Sequence, residues 1–361
     1  MSRTIRIALP TGKRRSYHVI IRSGSITEIP GLIARQWQGR DVFVITDENV
    51  RKLYGRLFMR GLTSAGVNSW LLDVPAGEKS KNAEVAFALQ THLLEQGIRR
   101  ESLIVALGGG VIGDLAGYVA ATVLRGVRYV QVPTTLLAQV DSSVGGKVGI
   151  DHPLGKNLIG AFHQPAAVYI DPEVLRTLPD VEFRNGLAEV VKIAAALDGK
   201  LFARLERIAP PRLTKNNGRL LGEIIAQAVG LKAKVVERDE LESGLRKTLN
   251  LGHTIGHAIE AASDFKTKHG TAVAMGLVAE SSIAVRMGIL KQRDFERVVK
   301  LLQRLKLPTS FPQIKGRSKF FHALSVDKKS ESGMAKFVLL KAIGNTVIGV
   351  DVPTPFIVEL L

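Results

Sequence analysis

The 361 residues contain no cysteine, two tryptophans and five methionines, and aromatics make up only 6%. Without cysteine there is no disulfide, no thiolate nucleophile and no sulfur ligand, so any bound metal must be held by histidine and carboxylate. No apolar run approaches the roughly 20 residues that a membrane-spanning helix needs. The opening Met1-Ser-Arg-Thr-Ile-Arg-Ile-Ala-Leu-Pro10 has no apolar stretch and small-residue cleavage site of a signal peptide, and reads as a first strand. Repeats and low-complexity tracts are absent as well. Acid is scarce relative to base, with 33 Asp and Glu against 50 Lys and Arg and a net charge of +17. The basic residues are scattered, and the clearest runs are Lys13-Arg14-Arg15, Arg99-Arg100 and Lys328-Lys329. That pattern describes a cationic surface, not a nucleic-acid-binding module, and such a field would attract an anionic substrate. A cytoplasmic enzyme without a nucleic-acid or membrane partner is the expectation.

What is present is the composition of a globular protein, 45% hydrophobic and 23% charged, in a chain long enough for two domains. The first half alternates β-branched runs (41–47, 69–74, 103–107, 127–132) with helical stretches (50–65, 82–97), which implies parallel pairing and an α/β domain. After Pro179 long helical stretches dominate, at 184–197, 220–238, 247–262, 272–287 and 292–305. Strand signals return at 337–341 and 345–350. The expected organisation is a Rossmann-like α/β domain over 1–180 and a mostly α-helical domain over 181–361, with a ligand cleft at their joint.

The strand at 103–107 runs into Gly108-Gly-Gly110-Val-Ile-Gly113-Asp114, a G-x-G-x-x-G in the order strand, glycines, helix. Such a turn brings backbone N–H groups and a helix start to a pyrophosphate, although glycines also serve simply to pack a helix on a strand. No acidic residue closes a strand about 20 residues later, where a dinucleotide fold usually places one. Asp47, at the end of an earlier strand, is the substitute candidate, so the layout is unusual for a dinucleotide site.

Asn250-Leu-Gly-His253-Thr-Ile-Gly-His257-Ala-Ile-Glu260 places two histidines on one helix face, and His269 follows in a glycine-containing turn. Glu189 lies on an otherwise apolar helix, where a carboxylate is costly to bury unless paired or metal-bound. Three N/O ligands with an open position would form a catalytic zinc-type centre. Spacing alone leaves open which of His253, His257, His269 and Glu260 take part. The stretch from Asp141 to Gly160 is glycine-rich and largely non-periodic, and Lys147, Lys156 and Asn157 in it suit an anion clamp presented from loops.

Together these segments resemble the 3-dehydroquinate synthase family. The similar stretches are Gly77-Glu-Lys-Ser-Lys-Asn82, the run from Leu107 to Tyr118, Gln131 to Lys147, Pro153 to Pro165, Gly186 to Lys192, Gly244 to Glu260, and Asp327-Lys-Lys329. The resemblance implies that Glu189, His253 and His269 bind one divalent metal, zinc or cobalt, and that His257 contacts substrate. It implies NAD contacts at Asp47, Asn49, Ala76, Gly77, Glu78, Lys79, Ser80, Lys81, Gly110, Val111, Ile112, Gly113, Asp114, Thr134 and Thr135. Lys147, Lys156, Val174, Leu175, Arg176 and Thr177 complete that set. Substrate contacts are implied at Arg125, Asp141, Lys147, Asn157, Lys192, Lys232, Arg246, Asn250, His257 and Lys328 or Lys329. Of these, Lys147, Lys192, Arg246, Asn250 and His257 are the catalytic candidates.

The implied reaction converts 3-deoxy-D-arabino-heptulosonate 7-phosphate to 3-dehydroquinate through transient oxidation by NAD, phosphate elimination, re-reduction and an aldol closure, in a homodimer. Related sugar-phosphate cyclases making amino-dehydroquinate or deoxy-inosose rings are the near alternatives, and Asn250, His257 and Lys232 favour the dehydroquinate branch over the deoxy-inosose type. A metal-dependent polyol or glycerol-phosphate dehydrogenase is a second alternative, and it would accumulate NADH.

Overall fold

The computed structural model describes residues 2–9, 16–209, 212–310, 316–326 and 336–359. Lys13, Arg14, Arg15, Asp327, Lys328 and Lys329 lie outside the described residues. Contacts within the chain divide it into two units. One comprises residues 1–178 and 215–237, the other 179–214 and 238–361. A single boundary near 180 is the simple expectation. The chain in fact returns to the first unit for the helix Gly218–Arg238, whose apolar stripe is buried there.

The first unit is built on a seven-stranded sheet of β1 (Ser2–Ile7), β2 (Tyr17–Arg22), β3 (Val42–Asp47), β4 (Ser69–Val74), β5 (Leu103–Gly108), β6 (Arg128–Pro133) and β9 (Ala167–Ile170). Their order is β1-β2-β9-β6-β5-β3-β4, and only the β1–β2 pair is antiparallel. The central strands are apolar runs rather than alternating patterns because both sheet faces are covered. On one face Phe43, Ile45, Ile104 and Ala106 pack against the helices Ala83–Glu95 and Gly110–Thr122. On the other, Val42, Val44, Leu103 and Val105 pack against Ile29–Gln36 and Arg56–Ser64.

Between β6 and β9 the chain forms a hairpin of β7 (Lys147–His152) and β8 (Gly155–Phe162). This corrects the reading of 147–160 as loop. Glycines hide the strand period there, and they are required by close backbone approach. A Cβ on Gly160 would lie 2.3 Å from the Val148 carbonyl oxygen, and one on Gly149 2.7 Å from that of Ile159.

The second unit is mainly helical, with long helices Asp180–Leu197, His269–Arg286 and Gln292–Arg304 and a shorter one at His253–Ala262. A hairpin of β10 (Lys336–Ala342) and β11 (Asn345–Asp351) completes it. No described helix is long and apolar enough to cross a membrane.

Two glycines in helices separate packing from propensity. A Cβ on Gly117 would meet Val148 Cγ1 at 2.3 Å, whereas one on Gly230 meets nothing within 4 Å. Gly117→Ala should therefore destabilise by about 1–2 kcal/mol, overpacking outweighing helix propensity. Gly230→Ala should stabilise by about 0.5–1 kcal/mol. Urea denaturation of both variants checks the opposite signs.

Candidate active site

In the first unit, four adjacent parallel strands end on one level: Val74 of β4 is in register with Asp47 of β3, and Gly108 of β5 with Pro133 of β6. The chain leaves β3 toward β4 and leaves β5 toward β6, in opposite directions, so the strand order reverses between Asp47 and Gly108. A crevice at the carboxyl ends of the strands at such a reversal is the place where open α/β sheets bind ligands. The segments after these four ends are Ala76–Lys81, Asn49, Gly110–Asp114 and Thr134–Thr135, the sequence candidates for NAD.

Their local structure suits a diphosphate. Gly109 caps the helix Gly110–Thr122 with no side chain, leaving the first N–H groups available. Gly77 adopts φ +107°, open only to glycine without strain. Packing nonetheless accounts for part of the motif. A Cβ on Gly108 or Gly113 would each lie 2.6 Å from a neighbouring side chain, Ile112 and Gln131 respectively. Ile112 itself is core, so only its backbone is available to a ligand. Asp47 Oδ1 accepts from the N–H groups of Asn49 and Val50, at 2.9 and 3.1 Å, and so caps its own turn.

Buried Lys81 bridges Asp114 at 2.6 Å and the side chain of Asn157, while Asp151 accepts from the Asn157 N–H at 2.9 Å. This ties the β7–β8 hairpin to the glycine-turn helix. Asn157, with φ +57°, is therefore seated beside cofactor candidates. Lys156 lies 3.7 Å from Glu78. Lys147 opens β7 as an exposed residue. Thr177 Oγ1 is 2.8 Å from the Tyr54 hydroxyl, in the turn Pro172–Thr177 that also holds buried Val174 and Leu175. Arg176 pairs with Glu173. Ser80 donates to the Pro75 carbonyl at 2.6 Å. Lys232 is buried and donates to the Asp141 carboxylate at 2.5 Å and its carbonyl at 2.8 Å. Arg125 is exposed and follows Leu124 in the left-handed region, a strained pair at a helix end.

In the second unit, Glu189 is wholly buried and neither carboxylate oxygen has a hydrogen bond of good geometry. Lys192 Nζ is 2.9 Å from Oε2, while His253 Nε2 and His269 Nε2 lie 3.8 and 3.5 Å from Oε1. Ligand atoms of the three residues fall within 4.8 Å of one another. The remaining imidazole nitrogens are already used. His253 Nδ1 is 3.1 Å from the Leu251 carbonyl, and His269 Nδ1 is 3.0 Å from Glu260. Both partners accept, so both Nδ1 atoms donate and both Nε2 atoms turn toward Glu189, the arrangement of imidazoles that bind a metal. A buried carboxylate with unmet oxygens facing two such nitrogens fits a divalent cation.

Glu260 thus holds His269 rather than competing for the same ion, and His257 sits exposed one helical turn beyond His253. His269 opens its helix as the first residue instead of lying in a turn. Nearby in the chain, buried Arg246 donates to the Glu240 carbonyl at 2.5 Å, Asn250 donates to Glu242 at 2.9 Å, and Lys192 also donates to the Leu249 carbonyl at 2.8 Å. Asp239, absent from the sequence reading, accepts four hydrogen bonds from Ser243, Gly244 and Arg246. Burial works against its charge, but these donors bring its pKa down to about 2. Glu280 was missed too, although a lone carboxylate on an apolar helix is the signal that singled out Glu189.

Residues 71–185 match the family model described as 3-dehydroquinate synthase N-terminal, and 186–330 the one described as 3-dehydroquinate synthase C-terminal. A 3-dehydroquinate synthase of Desulforamulus reducens is 43% identical over 348 residues, 96% of this chain and 97% of that one. Among solved structures, the 2-epi-5-epi-valiolone synthase of Streptomyces hygroscopicus, with NAD+ and Zn2+ bound, superposes with TM-score 0.89 over 98% of both chains at 28% identity. A 2-deoxy-scyllo-inosose synthase complexed with carbaglucose-6-phosphate, NAD+ and Co2+ gives 0.87 over 99% of both at 26%.

Charge at the centre sets a proton requirement. Burial alone would raise the Glu189 pKa, but Lys192 and the two histidines hold it well below the usual range. Burial pushes the His253 pKa down to about 3. Burial opposes the charge on His269 as well, yet the carboxylates of Glu189 and Glu260 beside it raise its pKa to about 10. A cation taking His269 Nε2 must displace that proton, so affinity falls as pH falls. Binding to metal-stripped protein should release about one proton per ion and weaken about tenfold per unit of pH lowered. Calorimetric titration in two buffers of different protonation enthalpy measures this, and zero proton release would contradict it.

Proposed function

The chain belongs to the 3-dehydroquinate synthase family, and from that premise we infer that it converts 3-deoxy-D-arabino-heptulosonate 7-phosphate into 3-dehydroquinate and phosphate. The observation that carries the reading is the buried Glu189 carboxylate, unmet by hydrogen bonds, facing two imidazoles whose other nitrogens are engaged. The family match selects dehydroquinate over other ring closures.

NAD supplies a reversible hydride acceptor when bound and the divalent cation a Lewis acid, chemistry that the side chains lack. The protein's part is holding and orienting. Glu189, His253 and His269 are the proposed ligands of the cation. Asp47, Asn49, 76–81, 110–114, Thr134, Thr135 and 174–177, with Lys147 and Lys156, are the proposed dinucleotide contacts. For the substrate's carboxylate and phosphate we assign Lys147, Lys192, Lys232, Arg246 and Lys328, with Arg125, Asp141, Asn157, Asn250 and His257 as hydrogen-bonding and orienting groups.

The Lys192 ammonium is held between Glu189, with which it pairs at 2.9 Å, and the Leu249 carbonyl, to which it donates at 2.8 Å. Asp141 similarly fixes Lys232, and a fixed ammonium loses less entropy on binding an anion than a mobile one. Elimination of phosphate needs a proton removed next to a carbonyl and negative charge accepted on the leaving group. His257 and the basic residues are the groups assigned to the second task. The proposal includes a cytoplasmic homodimer.

Metal-stripped protein given the heptulosonate phosphate, NAD and zinc or cobalt should release phosphate and form dehydroquinate in equal amounts, with no net NADH. A coupled dehydratase and a phosphate assay follow both products. Steady NADH release from a polyol instead would make the protein a dehydrogenase.

A further inference from the structure

We propose that Glu280 is a positioning residue of the metal centre, fixing the ring of His253 through the peptide group that joins Leu251 to Gly252. The proposal rests on the reading of Glu189, His253 and His269 as cation ligands.

The helix His253–Ala262 starts without local capping. Its N-cap is Gly252, left-handed at φ +77° and without a side chain. The third helical residue is Ile255, where a capping box would have Glu or Gln. The two N–H groups that a capping box would satisfy are taken by one carboxylate from another helix. Glu280 Oε2 accepts from Gly252 N–H at 2.6 Å and Oε1 from Ile255 N–H at 3.0 Å. Glu280 is wholly buried. It reaches this place because the two helices touch at their backbones. A Cβ on Gly276 would lie 2.0 Å from the Gly252 carbonyl oxygen, and one on Gly252 3.0 Å from the Leu277 nitrogen.

The consequence lies in the next bond. The N–H of Gly252 and the C=O of Leu251 belong to one planar peptide group. Glu280 holds its N–H side, and His253 Nδ1 donates to its C=O side at 3.1 Å. That carbonyl fixes the tautomer and rotation of the imidazole, which turns Nε2 to Glu189. A carboxylate anchoring the peptide plane therefore anchors the ring, and charge on Glu280 polarises the peptide so that its carbonyl accepts more strongly. Glu260 does for His269 directly what Glu280 does for His253 across one peptide. The helix His269–Arg286 thus carries one ligand and the support of another.

The test uses cobalt(II) on full-length, metal-stripped protein, with affinity from chelator competition and site geometry from the visible d–d bands. Glu280→Gln keeps the shape but replaces one acceptor by an NH2 group. Ile283→Val, on the same helix and fully buried, loosens packing without touching the peptide. We expect Glu280→Gln to weaken cobalt binding by about 10–100-fold and to change the bands, and Ile283→Val to leave both within about twofold of wild type. Wild-type affinity and bands in Glu280→Gln would overturn the proposal while leaving the ligand set standing. Absence of cobalt binding in the wild type would remove the ligand set itself. Should Glu280→Gln not fold, Glu280→Asp, too short to reach both N–H groups, is judged by the same two readouts.

Discussion

Burying the Glu189 carboxylate imposes a demand that organises the helical unit. An ionised group removed from water costs several kcal/mol unless neighbouring charge and hydrogen bonds offset it. Lys192, one turn along the same helix, supplies one positive charge at 2.9 Å. That leaves Oε1 facing two imidazole nitrogens and, among the described residues, nothing else that donates well. Each imidazole is in turn braced from behind, one by a carbonyl and one by a carboxylate. The glycines at 252 and 276 follow from the same demand, because only side-chain-free contacts let the helices come close enough to bring these groups together. A divalent cation, the proposed occupant, would resolve the arrangement by turning unmet carboxylate and imidazole lone pairs from a cost into a coordination sphere.

The sheet unit answers a different constraint. Diphosphate binding needs backbone N–H groups and little side-chain bulk, and reversal of strand order opens the space for it. Four strand ends supply the candidate contacts, and Lys81 ties them to the β7–β8 hairpin through Asp114 and Asn157. Residues assigned separately to cofactor and substrate thus share one hydrogen-bonded network.

Much of this was legible in the sequence where a local signal and the tertiary environment agree. The buried parallel strands β3 and β5 were found to within a residue, because a strand covered on both faces is an uninterrupted apolar run. Glu189 stood out because a charge on an apolar helix face is costly. The hairpin β7–β8 escaped because Gly149, Gly155 and Gly160 remove the alternation that marks a strand. The return of the helix Gly218–Arg238 to the first unit escaped too, since an amphipathic stripe does not say which neighbour it packs on. Spacing could not separate the proposed ligands from the proposed supports among His253, His257, His269 and Glu260. The direction of each imidazole nitrogen depends on the partners behind it, which come from Leu251 and from across a turn.

One carboxylate and two imidazoles are the proposed protein ligands of the cation, and X-ray absorption at the zinc edge of protein loaded with one equivalent of zinc reads that shell directly. The predicted spectrum has two imidazole rings, with nitrogen and oxygen neighbours only, at about 2.0–2.2 Å. A shell with three imidazoles, or with none, would contradict it.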